Sequence, residues 1–587
     1  MRRIVKGSSW RRLAMMWMAG MLATGFFAYM QPQTAFAAVQ ASFYVDPSAG
    51  SDSNNGLSSG AAWQTIAKAR DYIRANYTTQ TGDILVYLMG GTYTQTSTLA
   101  FDSSDSGKNG YSIKYVNYSG QIPVVSGGTA ITSSWTLYDS GANIYKTTVG
   151  SLDFRQLYIN DAPAIRARTP NGNTKNTLVA FDTTNKKIKI NKSQIAAWNN
   201  LTDVEFNNYM GWTNDKLRLS TYTTDATYAY LKFQNPEADK YFYWTNAWLG
   251  IGMPAANQYY WENAYEFIDA EGEWYLDKST SPYTLYYKPR TGENMTNGSV
   301  SVVVPTLETV VSVQGTLDDP VKNLVFYGIH FRHATWMNTT ANGYVGYQFF
   351  QYLQGANIGD VNRPPGGVSV AAAHDITFER NTFELMGAVG LDVEYGTENT
   401  RIVGNVFKHI AGSGLQLARF QPSVSAPHGG YNPTDTRDLN VNDLVGNNYF
   451  VDTAREYQGA VPLAVGYGVG TIIEHNQIEG APFDGIHVGG HATDASNVMK
   501  QMIVRGNEVA NAMQELNDGG GIYTKGSSTD YGVLYENYLH MDTASTNPSA
   551  NYIGMLYHDT GTGYYLSARN VLDNVYDYAD YTYKFNN

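Results

Sequence analysis

The second half of the chain repeats. Thr377-Phe378-Glu379-Arg380-Asn381-Thr382-Phe383 returns as Arg401-Ile402-Val403-Gly404-Asn405-Val406-Phe407, and again around Asn448, Asn476, Asn507, Asn537 and Asn570. The intervals are 24, 43, 28, 31, 30 and 33 residues, and each Asn stands two positions before an apolar residue. A degenerate earlier copy, Val325–Phe331, puts Ile329 where Asn would stand. A fixed residue recurring at this spacing beside short apolar runs marks a stacked solenoid. The reading is an all-β fold, a right-handed parallel β-helix carrying an Asn ladder. Each Asn takes the unusual backbone angles of a turn, and its amide bonds to the Asn one coil away. Coils stack at the strand spacing, about 4.8 Å, and none is stable alone. Unequal intervals mean that loops leave some coils, and loops on a rigid scaffold are where function is placed.

Composition agrees. Of 587 residues 16% are charged and 13% aromatic, with 57 Gly and 46 Tyr. A helical bundle would carry more Lys, Glu, Arg and Ala. The net charge of −12 argues against nucleic acid as a partner. Arg2, Arg3, Lys6, Arg11 and Arg12 precede an apolar run from Leu13 to Tyr29 and the small-residue site Ala35-Phe36-Ala37. This reads as a secretory signal, residues 1–37, rather than an anchor, because the run is short and the cleavage site well placed. With those five basic groups removed the charge becomes −17. The expected product is secreted, free of the membrane and monomeric. With no Cys, its stability must come from a packed core.

Residues 38–130 read as an N-terminal cap and the first coils. They hold a short helix over Trp63 to Tyr77 with Ile66, Ala69 and Ile73 on one face, then the strand Asp83–Leu88. Asp46, Asp52 and Asn54 stand in an Asx-rich turn that either ligates a structural calcium or holds its own backbone. No other cofactor is expected. Residues 131–300 show longer alternating strands and no repeat, and read as an inserted β-sandwich-like domain. Its Trp244, Trp248, Trp261 and Trp274 are assigned to the core ahead of sugar stacking. Residues 301–587 form the main β-helix.

In most coils a Gly opens the strand after the ladder turn: Gly390, Gly414, Gly485, Gly521 and Gly554, with Ala460 in its place in the third coil. Counting two residues on from each Gly gives Asp392, Gln416, His487, Tyr523 and Leu556, an outward stripe opposite the core set Leu391, Leu415, Ile486, Ile522 and Met555. The stripe is expected to line a groove. Beside it stand Asp484, Asp518 and Asp559 on consecutive coils, the second followed by Gly519-Gly520-Gly521. Clustered acids repel, which raises at least one pKa. A protonated acid beside a carboxylate is what acetal hydrolysis requires. The three glycines let a ligand or another backbone approach. His487, His491, Tyr523, Gln416, Asp392, Glu394, Glu456, Lys525 and His558 are read as substrate-binding candidates. With ten His and no Cys, no transition-metal site is expected.

These segments together resemble the right-handed β-helix proteins of glycoside hydrolase family 141, and share the architecture of family 120. The resemblance rests on Tyr44-Val45-Asp46-Pro47, Leu157-Tyr158-Ile159-Asn160, Arg166-Ala167-Arg168-Thr169-Pro170-Asn171, Glu273-Trp274-Tyr275-Leu276-Asp277, Asp484-Gly485-Ile486-His487-Val488-Gly489 and Asn517-Asp518-Gly519-Gly520-Gly521-Ile522-Tyr523. It implies a secreted bacterial glycosidase acting on plant polysaccharides such as pectin side chains or xylan, with Asp518 and Asp559 at the positions of two family carboxylates. Many relatives carry Asp-Glu-Gly where this chain has His558-Asp559-Thr560-Gly561. Two other classes stay open: a polysaccharide lyase using Lys525 or Arg505 as base, and a non-catalytic carbohydrate-binding protein.

Overall fold

A computed structural model of the protein describes residues 38–248, 258–426, 429–490, 497–542, 553–574 and 581–583. The signal reading for 1–37 and His491 lie outside them.

Three long parallel sheets wind around one core. The first has eleven strands, beginning Val39–Val45 and Asp83–Leu88 and ending Gly563–Ala568. The second and third have ten each. A coil runs from the third sheet (Val389–Val393) to the first (Arg401–Val403), turns at Asn405, enters the second (Val406–Ile410) and returns to the third (Leu415–Leu417).

The ladder forms as the spacing requires. From Asn381 to Asn537, each ladder Asn donates its backbone N–H and its Nδ2–H to the Oδ1 of the Asn one coil on, at 2.9–3.2 Å. Its second Nδ2–H goes to a backbone carbonyl of the preceding coil, as from Asn405 to Phe378. Ile329 joins by donating its N–H to Asn381. One expectation is corrected. The left-handed residue is not the ladder Asn but the one before it: Arg380, Gly404, Asn447, His475, Gly506, Glu536 and Arg569 all have φ between 54° and 69°. The ladder Asn itself is not left-handed, and its amide bridges the coils. Two residues on, Phe331, Phe383, Phe407 and Phe450 stack inside the core, the last three rings 4.6–4.8 Å apart and within 5° of parallel.

The helix Ile66–Asn76 covers the first coils, capped by Thr65 Oγ1 accepting from Lys68 N–H, with Ile66, Ala69 and Ile73 buried. Asp46 and Asp52 spend side-chain oxygens on the N–H groups of Ser48, Ala49, Gln64 and Thr65, and Asn54 donates to Ala62 O. These bonds hold the turn's own backbone. Among the described residues no group of three His, Asp or Glu converges as metal ligands would.

The chain leaves the coil stack after Gly128–Ala130 and rejoins it at Val302–Pro305, which pair antiparallel. Between them lie a five-stranded and an eight-stranded sheet, both largely antiparallel, and a helix, Glu237–Trp248, that the strand pattern does not foreshadow. Trp244, Trp261 and Trp274 are buried, as the core reading expects. Trp198 and Phe267 meet Trp261 and Trp198 edge-on at 5.1 and 4.9 Å.

Candidate active site

The third sheet positions the site. Its register aligns Asp392, Gln416, Ala464, His487, Tyr523 and Tyr557 in one column, with Leu391, Leu415, Leu463, Ile486, Ile522 and Leu556 in the core column beside it. Two sequence assignments shift. Pro462 fills the strand-opening position of the third coil, not Ala460, because Leu415 N–H bonds to Pro462 O. Met555 holds that position in the last coil, not Gly554, so Tyr557 rather than Leu556 continues the column. His558 then points inward beside Leu556. It bonds through Nδ1 to Thr524 Oγ1 at 2.7 Å, and burial lowers it to about 4.

The stripe faces away from the core but is not an open groove. The loop after the short helix Asn338–Asn342 lies across it. The Phe349 ring stacks on His487 with centroids 3.4 Å apart, Phe349 O accepts from Gln416 Nε2, and Gln348 Nε2 donates to Tyr523 OH. Phe350 packs where a Cβ on Gly412 would stand 2.1 Å from its ring, so glycine is required there. Gln416 and His487 have no exposed surface. Asp392 is covered too. Burial raises it to about 6 against the pull of Arg363, whose Nε donates to it at 2.8 Å. Asp392 and the half-buried Glu394 sit four coils from Tyr523, roughly 19 Å at the strand spacing.

The acids meet at the end of the column. Tyr523 and Tyr557 stack with centroids 5.2 Å apart. Tyr557 OH donates to Asp518 Oδ1 at 2.5 Å, whereas Tyr523 OH donates to Asp559 Oδ2. Two adjacent phenols thus reach carboxylates on opposite ends of their strands: Asp518 before the strand Ile522–Lys525, Asp559 just after Leu556–His558. Lys525 Nζ lies 3.2 Å from Asp559 Oδ2. Asp518 is half-buried and left-handed, with φ 61°. Burial pushes both phenols well above the ordinary tyrosine range, and the charges of Asp559 and Asp518 add to it.

Asp484 lies beneath this pair with no exposed surface. Its Oδ1 accepts the Gly520 N–H at 2.8 Å, and its Oδ2 stands 3.7 Å from His487 Nδ1. Burial first, then the charges of Asp518 and Asp559, hold it well above the usual carboxylate range. The raised pKa expected of the cluster falls here. The three glycines serve close packing. A Cβ on Gly519 would lie 2.2 Å from Asp484 Oδ1, and one on Gly520 1.9 Å from Gly554 O.

Glu456 stands apart, in a cleft of about 480 Å³ between the insertion and the turns of the β-helix. Gln156 Nε2 donates to it at 3.2 Å and Arg155 Nε lies 3.6 Å away. Arg505 is on the first sheet, paired with Glu474 at 2.6 Å, and is no neighbour of the acids in the fold. The sequence reading missed Tyr557, Gln348 and Phe349. The first was visible by aligning Ile522-Tyr523-Thr524-Lys525 with Leu556-Tyr557-His558-Asp559. The loop residues carry no periodic signal.

The fold is that of a parallel β-helix protein carrying an insertion, and its likenesses are to glycoside hydrolases. The family model described as the GH141 insertion domain matches residues 141–290. A solved structure described as a glycoside hydrolase is 27% identical, with a TM-score of 0.81 over 91% of this chain and 96% of that one. XylC in complex with xylose is 10% identical, with a TM-score of 0.41 over 91% and 86%. A GH136 lacto-N-biosidase from Eubacterium ramulus is 10% identical, with a TM-score of 0.31 over 91% and 68%. These last two are too remote to carry an argument. No curated protein matches the sequence. The insertion-domain match and the first structure together support a GH141-like glycosidase.

Proposed function

We propose that the protein is a secreted, monomeric glycosidase that hydrolyses a glycan with Asp518 and Asp559 as its two working carboxylates. The observation that carries this is the crossed pair of Tyr–Asp hydrogen bonds, which holds two acids from neighbouring coils in one charged neighbourhood. One acid gives its proton to the leaving glycosidic oxygen. The other attacks the anomeric carbon, or takes a proton from the water that does. Lys525 beside Asp559 supplies positive charge where a carboxylate must stay ionised. The buried Asp484 supports the neighbouring backbone by accepting the Gly520 N–H.

The test is product analysis on a panel of plant and microbial glycans, with D518N and D559N as controls. Asn tolerates the left-handed backbone at 518 and accepts the same phenol bond, so D518N keeps the fold. Each variant is expected to lose at least about a hundredfold in kcat. D518N should melt within a few degrees of the parent. Full activity in D518N, or binding of glycans with no turnover by the parent, would refute the proposal.

A further inference from the structure

The cleft between the insertion and the β-helix holds about 480 Å³, within the ~300–1,000 Å³ typical of small-ligand sites. Its walls are charged, and most of that charge is internally matched; among the described residues the lining carboxylate of Glu479 has no ion pair and accepts from Asn511 Nδ2. Arg155 and Arg166 both bind Glu205 at 2.8 Å, and Lys175 is paired with Glu515 and Arg455 with Asp452. Arg168 differs. Its guanidinium lies over the Tyr260 ring, 5.5 Å from the centroid, and donates one hydrogen bond, from Nη2 to Gly172 O at 2.9 Å. Among the described residues it forms no ion pair, although it is only partly exposed and lines the cleft.

A guanidinium held over an aromatic ring, with one N–H spent on a carbonyl, keeps the rest of its planar fork to offer. That plane matches a carboxylate, which accepts two parallel bonds. A protein with a net charge of −12 needs such a local cation to hold an anionic ligand. The cleft also adjoins the acids. Glu515 lines it, and only Leu516 and Asn517 separate Glu515 from Asp518, at most about 11 Å between their Cα atoms when extended.

We propose that the cleft receives a uronic-acid unit of the glycan, with its carboxylate bound by Arg168. The proposal rests on the glycosidase reading for its biological sense, but not for its test. Binding is measured on the full-length D518N protein, without turnover, so a failed hydrolysis assay and a failed binding assay are separate results. The probes are glucuronate and galacturonate, with glucose and galactose as neutral controls, titrated by ligand-observed NMR at millimolar concentration. The uronates should bind about tenfold more tightly than the neutral sugars, as a charge-assisted bond allows. R168Q should bring the uronates down to the neutral level and leave the neutral sugars unchanged, whereas R168K should recover part of the difference. Raising salt from 50 to 500 mM should shrink the uronate preference in the D518N parent, a readout that needs no further variant. Equal binding of uronates and neutral sugars, or a preference that survives R168Q, would overturn the proposal.

Discussion

Asp484 and His487 lie side by side with no exposed surface, where burial disfavours the charged form of each. His487 Nε2 meets Gly489 O at 3.1 Å, so that nitrogen carries the proton and Nδ1 keeps its lone pair toward Asp484. Burial holds the imidazole well below its ordinary pKa and the carboxyl well above its own. The sign for stability follows. A carboxyl raised by folding stabilises fully below its unfolded pKa of about 3.9, and that contribution is lost as pH rises toward the folded value. D484N cannot ionise and keeps the acceptor for Gly520 N–H. Its Tm relative to the parent should therefore climb between pH 4 and pH 7, with activity kept within about tenfold of the parent. A Tm difference independent of pH would mean that Asp484 is ionised in the fold. Tyr523 acts more directly. Y523F strips a hydrogen bond from Asp559 and leaves Lys525 as its cation, so kcat should fall about tenfold or more with little change in KM. Unchanged kcat would separate that phenol from the reaction. Asp484 and Asp518 were legible in sequence as Asp-Gly pairs on consecutive coils, and Asp559 as an acid in the turn of the next coil. Tyr557 was hidden because Gly554 imitates a strand opener one position too early.

At the scale of the coil, the ladder was legible because it is periodic and because its chemistry needs one residue type. The roof over the third sheet was not. The loop at 338–370 is held by single contacts such as Gln416 to Phe349 and Arg363 to Asp392, which leave no spacing to count. The ladder makes a graded prediction. N476A removes the acceptor for Asn448 N–H and Nδ2–H and the donor to Val445 O, all buried. Orphaned buried groups cost about 1–3 kcal/mol each, so at least about 3 kcal/mol is expected in urea denaturation. N570A removes the same kinds of bond from Asn537 and Leu534 at the last rung, where Asn570 is only partly buried. Water can replace those partners, and about 1 kcal/mol is expected. Equal losses at the two positions would show that rung depth does not govern ladder strength.

For the whole molecule, the insertion is joined to the β-helix through charge and core alike. One continuous apolar cluster contains Phe206 and Trp261 of the insertion together with Phe407 and Phe450 of the ladder stack. Trp212 donates its indole N–H to Tyr347 O in the roofing loop, and Asn517 N–H bonds to Gly211 O next to Asp518. On the insertion's side Glu205 accepts from Arg155 Nη1 and Nη2 at 2.8 Å and pairs with Arg166, and Arg155 in turn reaches Thr340 and Glu456 of the β-helix. Burial alone would raise Glu205, but Arg155 and Arg166 hold it well below the usual carboxylate range. The sequence separated the two regions by texture but carried no sign of this junction, since its partners are 39 or more residues apart. E205Q leaves two guanidiniums facing a neutral amide. Breaking one partner out of a buried network costs about 3–5 kcal/mol. If the junction makes insertion and helix one cooperative unit, calorimetry of E205Q should show a single transition moved to lower temperature. The near-ultraviolet signal of the buried tryptophans and the catalytic activity should be lost together. Two resolved transitions, with the helix melting at the parent temperature, would mean that the insertion is a detachable module and that the roof over His487 does not depend on it.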